Sequence, residues 1–359
     1  MPIKPVYNDE TRLKLLKALR QKGSIKPDLK AIHDKTGLSI ITIKRAMKTM
    51  EKGDHVNKFY PVLSAKKTNF EILAMIFLQV DTSKEKKLEE FLDFCKKEPR
   101  IISVHRIIGS GKWNLMIRSI AKSLEKFDIM VTNPHLNIQG NSELILDSLF
   151  FFTTAPVIKS NKRAQTLVNI FMDAANKDPA IGKAFTPKRK KLVECFADED
   201  ALKPNVKQLQ KLTKLHASTI KSSLHFLKEE GVLKGFAPSM NFEKIGLKNL
   251  VFDFYKMDFS DEKGLAALKK VLDEDQNMFH AGSVFGDGEH NFLIMQAYTT
   301  VENYQNGFRE KYGQEKALSN FLQNRMTFFA TSSPIEAKGL WPSRSTAILD
   351  ILLEEAGMN

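Results

Sequence analysis

The sequence predicts an α+β protein in which one unit, a helix-turn-helix followed by a βαββαβ module, occurs twice. Three observations predict it: a repeat register held at one offset through most of the chain, helical periodicity in the first 60 or so residues of each copy, and short strand-like runs after that. The offset is 177, since Lys26-Pro27 fall on Lys203-Pro204 (203 minus 26), Thr42-Ile43-Lys44 on Thr219-Ile220-Lys221, and Gly109, Gly111 and Asn114 on Gly286, Gly288 and Asn291. Between Thr36 and Lys48, 5 of 13 positions match their partners, against about one in sixteen expected from average composition. Duplication explains this; chance does not.

In the first copy Leu13, Leu16 and Leu19 form the stripe of an opening helix. Asp28 is placed to cap a second helix carrying Leu29 and Ile32, and Gly37 breaks it. Ser39 caps a third helix ending at Gly53, with Ile40, Ile43, Met47 and Met50 on its inner face and Thr42, Lys44, Arg45 and Lys48 on the others. That layout is a helix-turn-helix of winged-helix type, whose third helix enters a DNA major groove. The second copy repeats it with fewer charges: Asn205 opens its second helix, His216 stands where Ser39 does, and the third helix, 217–230, presents Ser218, Lys221, Ser222 and His225.

The period then changes. Runs 70–80, 101–108, 113–120 and 143–154 read as strands and 84–97 and 124–131 as helices. In the second copy the strands are 247–257, 278–285, 291–298 and 324–331 and the helices 262–272 and 301–312. The order βαββαβ suits a ferredoxin-like sandwich with helices on one sheet face, so the other face needs a cover, which the sister sheet of the same chain supplies as an intramolecular pseudo-dimer. Phe150, Phe151 and Phe152 lie in the last strand and are expected in the core or at the seam. An apolar helix closes each copy, at 164–175 and 345–356. The expected domains are 1–60 (first helix-turn-helix), 61–158 (first ferredoxin-like domain), 159–185 (helix and linker), 186–237 (second helix-turn-helix), 238–336 (second ferredoxin-like domain) and 337–359 (closing helix).

The 359 residues are 42% hydrophobic and 27% charged, a composition that excludes disorder. The longest apolar runs, 70–80 and 149–158, are too short for a bilayer crossing, so a cytoplasmic protein with no membrane partner is expected. Net charge is 55 minus 42, or +13, and residues 1–160 hold 28 minus 17, or +11 of it, which points to a polyanionic partner for the first copy. Two cysteines, Cys95 and Cys195, build neither a disulfide framework nor a zinc site and read as buried thiols. The eight histidines lack metal-ligand spacing, and no cofactor is expected. Gly109-Ser110-Gly111-Lys112 lacks the remaining parts of a phosphate-binding loop and reads as a hairpin turn.

A helix-turn-helix followed by βαββαβ resembles the Lrp/AsnC family of feast/famine regulators, over nearly the whole chain and twice. The most specific stretch is Gly231-Val232-Leu233-Lys234-Gly235-Phe236 with Asn241-Phe242 and Lys244-Ile245-Gly246-Leu247, similar to the family's hinge strand; the first copy has Asp54-His55-Val56-Asn57-Lys58-Phe59 there, with no second glycine. The resemblance implies a sequence-specific regulator of double-stranded DNA, with sheets of the family's RAM type that dimerise. Its DNA-binding residues would be Ser39, Thr42, Lys44, Arg45 and Lys48, with His216, Ser218, Lys221, Ser222 and His225 in the second copy. The family's small-molecule effector, often an amino acid, lies near the glycine turn, which implicates Gly109, Gly111, Asn114, Gly286, Gly288 and Asn291. The family carries an aspartate where Asn114 and Asn291 stand, so the usual anionic partner of an amino group is missing.

On this reading no bond is made or broken, and whole chains have room to associate further. Two alternatives stand beside it. Siroheme decarboxylases resemble the same architecture, and such an enzyme should gather Arg and His in a pocket between sheets; the candidates His105, Arg106 and Arg118 read as too scattered along the sequence to form one. An architectural DNA-coating protein would use the charge of the first copy without an operator.

Overall fold

The computed structural model describes residues 10–132, 143–159, 201–240 and 248–337, apart from positions 20, 54, 55, 71, 276, 287, 315 and 332–335. The linker around 177–185, both closing helices, Cys195, the first helix of the second copy and the stretch 241–247 lie outside the described residues.

The first copy begins with α1 (Glu10–Leu19), the short strand β1 (Ile25–Pro27), α2 (Leu29–Thr36) and α3 (Ile40–Lys52), followed by β2 (Val56–Leu63). Asp28 caps α2, accepting from the N–H groups of Lys30 and Ala31, and Gly37 ends it in the left-handed region at φ 68°. Ser39 caps α3 through the N–H of Thr42 at 3.2 Å. Ile43, Ala46, Met47 and Met50 bury the inner face of α3. Ile40, expected on that face, is 44% exposed instead. It is the first residue of the helix and sits at the edge of the inner arc.

The sheet module follows: β3 (Ile72–Val80), α4 (Glu85–Lys97), β4 (Ile101–Gly109), β5 (Leu115–Ala121), α5 (Leu124–Val131) and β6 (Ile145–Lys159). The second copy supplies β7 (Leu202–Pro204), α6 (Val206–Thr213), α7 (Ala217–Glu229) and β8 (Leu233–Met240), then β9 (Asn249–Lys256), α8 (Glu262–Glu274), β10 (Met278–Gly286), β11 (Phe292–Tyr298), α9 (Val301–Lys311), α10 (Lys316–Phe321), β12 (Gln323–Thr331) and β13 (Glu336–Ala337). The molecule is thus mixed α and β; the first copy has the βαββαβ order, and the second follows it with one further short helix, α10, inserted before its last long strand.

The two sheets do more than face each other. Within the copies the strand orders are β6-β3-β5-β4 and β12-β9-β11-β10, and pairings of β6 with β10 and of β12 with β4 join them edge to edge into one closed sheet. Closure removes the exposed edges that would otherwise template aggregation. Inside lies a four-phenylalanine seam. Phe77 stacks on Phe328 and Phe151 on Phe254, each pair with centroids 4.3 Å apart, and every stack joins one copy to the other. Phe151 is therefore in the seam, while Phe150 and Phe152 meet Phe127 of α5 on the outer face.

Two short ribbons also join the copies: β1 pairs with β7, and β2 with β8, both antiparallel. The expectation of two winged-helix-like domains is not confirmed here. A wing is a hairpin within one domain, whereas β2 and β8 come from different copies and satisfy each other's backbone groups.

Candidate nucleic-acid interface and buried polar clusters

At 100° per residue, Ile40, Lys44, Lys48, Ile41 and Arg45 fall within an arc of about 140° on α3. All five are exposed. Thr42 is half-buried, and its hydroxyl lies 3.0 Å from the hydroxyl of the exposed Ser39, so both side chains are occupied in capping the helix. On α7 the corresponding arc carries Ser218, Lys221, Ser222 and His225, all exposed, with His216 exposed at its start. His216 makes no side-chain capping bond to α7. The hydroxyl of Ser222 donates to the carbonyl of Thr219, and His225 Nδ1 lies 4.0 Å from Glu229 Oε1.

What holds α3 and α7 in one body is contact between the copies. α1 packs on α6 and α7, with the Arg12 guanidinium 3.8 Å from the centre of the Phe226 ring. Lys203 on β7 donates to Asp28 at 2.8 Å, and that bond holds the Asp28 carboxyl below its ordinary range. The Asn205 side-chain amide reaches back to the carbonyl of Gly23.

The residues expected around an effector have structural roles, of which the sequence showed the hairpin turn but not the sheet closure or the asparagine clamps. A Cβ on Gly109 would stand 2.1 Å from the carbonyl oxygen of Thr327, and one on Gly286 2.1 Å from that of Phe150, so both glycines mark where the sheets close on each other. Gly111 and Gly288 adopt positive φ (74° and 82°) in the hairpin turns. Asn114 accepts from the Val80 N–H at 2.9 Å and donates to the Val80 carbonyl at 2.8 Å; Asn291 makes the same clamp on Met257. A carboxylate has no proton to donate to that carbonyl, which explains asparagine in both copies. Lys112 forms an ion pair with Asp147, as suits a hairpin residue.

Two buried polar clusters remain. On the inner sheet face of the first copy, His105 is fully buried, its Nε2 3.0 Å from the Ser103 hydroxyl and its Nδ1 3.1 Å from the Thr331 carbonyl. Burial and then the positive charge of Arg118 push its pKa down to about 3, so the imidazole is neutral. Arg106, by contrast, is exposed on the outer face and does not join them. The second cluster belongs to the second copy. Asp253 accepts from the Tyr304 hydroxyl, from Arg325 Nε at 3.1 Å and from the Thr327 hydroxyl, and burial nevertheless pushes its carboxyl up. Asp275 is likewise surrounded by Gln296, Lys311 and Tyr312. The repeat offset puts Ile76, Phe127, Ser148 and Phe150 at the positions of Asp253, Tyr304, Arg325 and Thr327, and the loss of apolar character at three of these four was the available signal.

No protein-family model and no curated protein matches the chain. Among solved structures it is similar to the siroheme decarboxylase NirDL, with 14% identity and a TM-score of 0.51 over 97% of this chain and 100% of that one. The same enzyme in complex with an iron-uroporphyrin III analogue matches at 16% identity, again at 0.51, over 96% and 98%. A transcriptional regulator from Neisseria meningitidis, bound to L-methionine, matches at 19% identity over 41% of this chain and 90% of that one, with a TM-score of 0.31. At these identities the full-length matches establish a shared fold. They correct one expectation: an architecture shared from end to end with an enzyme removes the ground for reading the chain as non-catalytic. Among the described residues no helix is long and apolar enough to cross a membrane, and no cluster of three or more His, Cys, Asp or Glu is arranged to hold a metal.

Proposed function

We propose that the protein binds double-stranded DNA as a regulator of Lrp/AsnC type, with α3 as its principal reading helix. The observation that carries this reading is the open outer face of α3, where Lys44, Arg45 and Lys48 stand together in solvent beside a capped helix start. Lys44, Arg45 and Lys48 contact phosphates or base edges, and Lys221, Ser222 and His225 of α7 engage the duplex more weakly, having fewer charges. The ribbons between the copies fix the spacing of the two helices, so one chain spans its site. The effector assignment at the glycine turns is not part of this reading, because the asparagines there are already engaged with backbone.

The test is equilibrium binding to duplex DNA over a range of salt. Replacing Arg45 and Lys48 together by Ala is expected to weaken binding and to lower the salt slope by about 1.8, at roughly 0.9 per lost phosphate contact. An unchanged affinity and slope would remove α3 from the interface.

An enzymatic reading rests on a different part of the molecule. Arg118 and the neutral His105 adjoin on the inner face in the first copy only, the second having Met295 and Gly282 at those positions (118 plus 177, 105 plus 177). A guanidinium suits the carboxylate of a decarboxylase substrate, bidentately held. Adding an iron porphyrin that bears carboxylates tests it: this reading requires a shift of the visible absorption band that R118M removes, and no shift would leave the DNA reading alone.

A further inference from the structure

The basic face of α3 contains two side chains that phosphate binding does not need. Ile40 is 44% and Ile41 64% exposed, at the leading end of the same arc as Lys44, Arg45 and Lys48. By helical spacing Ile40 lies one turn before Lys44, and Ile41 one turn before Arg45. Water is a poor environment for such a pair, and the cations around it favour a polyanion as the cover. A DNA major groove offers one apolar group to a side chain, the C5 methyl of thymine. Resting on the DNA reading above, we propose that Ile40 and Ile41 read thymine methyls, so that the half-site under α3 is selected for thymine.

The second copy lacks the device. Ala217 and Ser218 occupy the equivalent positions, and neither supplies a branched apolar side chain. Discrimination by methyl group is therefore confined to one half of the site, and the operator is asymmetric in what is read as well as in how tightly it is held.

Two probes that differ only in the methyl test this: a poly(dA-dT) duplex and a poly(dA-dU) duplex, titrated under one salt condition. The wild-type protein is expected to bind the thymine polymer several-fold more tightly, at about four-fold per methyl covered. Replacing Ile40 and Ile41 by Ala should bring the ratio to one and leave the salt slope unchanged, while S218A leaves the ratio as it is. Equal wild-type affinity for the two polymers overturns the inference but preserves DNA binding. Failure to bind either polymer overturns the DNA reading itself. A ratio that survives in the double variant assigns the methyl contact to other residues and likewise sinks the proposal.

Discussion

At the scale of single residues, His105 connects sequence, burial and pH. Its folded-state pKa, pushed down to about 3, lies below the ordinary 6.5, so the unfolded chain takes up a proton that the folded chain refuses. The stability it contributes is complete above pH 6.5 and is lost as pH falls from 6.5 toward 3, at about 1.4 kcal/mol per unit. Between pH 7 and pH 5 that amounts to about 2 kcal/mol, mostly before the carboxylates titrate. H105Q keeps a donor and an acceptor for Ser103 and Thr331 but cannot charge. Denaturant titrations at pH 7 and 5 should show the variant losing about 2 kcal/mol less than the wild type over that interval. Equal losses would mean that the imidazole is hydrated, contrary to its burial.

At the scale of elements, the two reading helices differ in their caps. Ser39 closes α3 onto the Thr42 N–H, whereas His216 leaves the first turn of α7 without a side-chain acceptor. H216S restores the acceptor and is expected to stabilise the chain by about 1 kcal/mol, read as a higher denaturation midpoint with an unchanged m-value. A lower midpoint would show that the imidazole makes contacts worth more than the cap. The longer helices were legible by their 3.6 period, with Ser, Asp and Gly marking their ends, and the long strands of the two sheet modules by their apolar runs, several of them buried on both faces; the six-residue α10 was not, being too short to show a period. The pairing of β1 with β7 was not, since three-residue strands have no period and their partners lie 177 residues away (203 minus 26). Ile40 was misplaced because periodicity assigns a face without saying how deeply each residue on it is covered. The clamps of Asn114 and Asn291 were hidden for a related reason: the repeat showed that both positions matter, but the backbone they hold, at Val80 and Met257, appears only in the fold.

At the scale of the whole molecule, the pseudo-dimer is one cooperative object. A single core runs from Leu15, Leu16 and Met50 of the first reading unit through Leu209 and Leu227 of the second to the phenylalanine seam between the sheets. Each half of that core is completed by the other: Phe77 finds its stacking partner in Phe328, Phe151 finds its own in Phe254, and β2 finds its ladder in β8. A copy standing alone would expose both a sheet face and a ladder edge, so neither half has a folded state of comparable stability to occupy when the other melts. Calorimetry should therefore show one transition for the intact chain, with calorimetric and van't Hoff enthalpies in near agreement. F328A, which removes a fully buried ring from the second copy's side of the seam, should cost about 3–5 kcal/mol and move the whole peak to lower temperature. Two resolved peaks, with only one displaced by F328A, would mean that the copies fold as neighbours without completing each other, and that the spacing of α3 and α7 on DNA is not fixed by the fold.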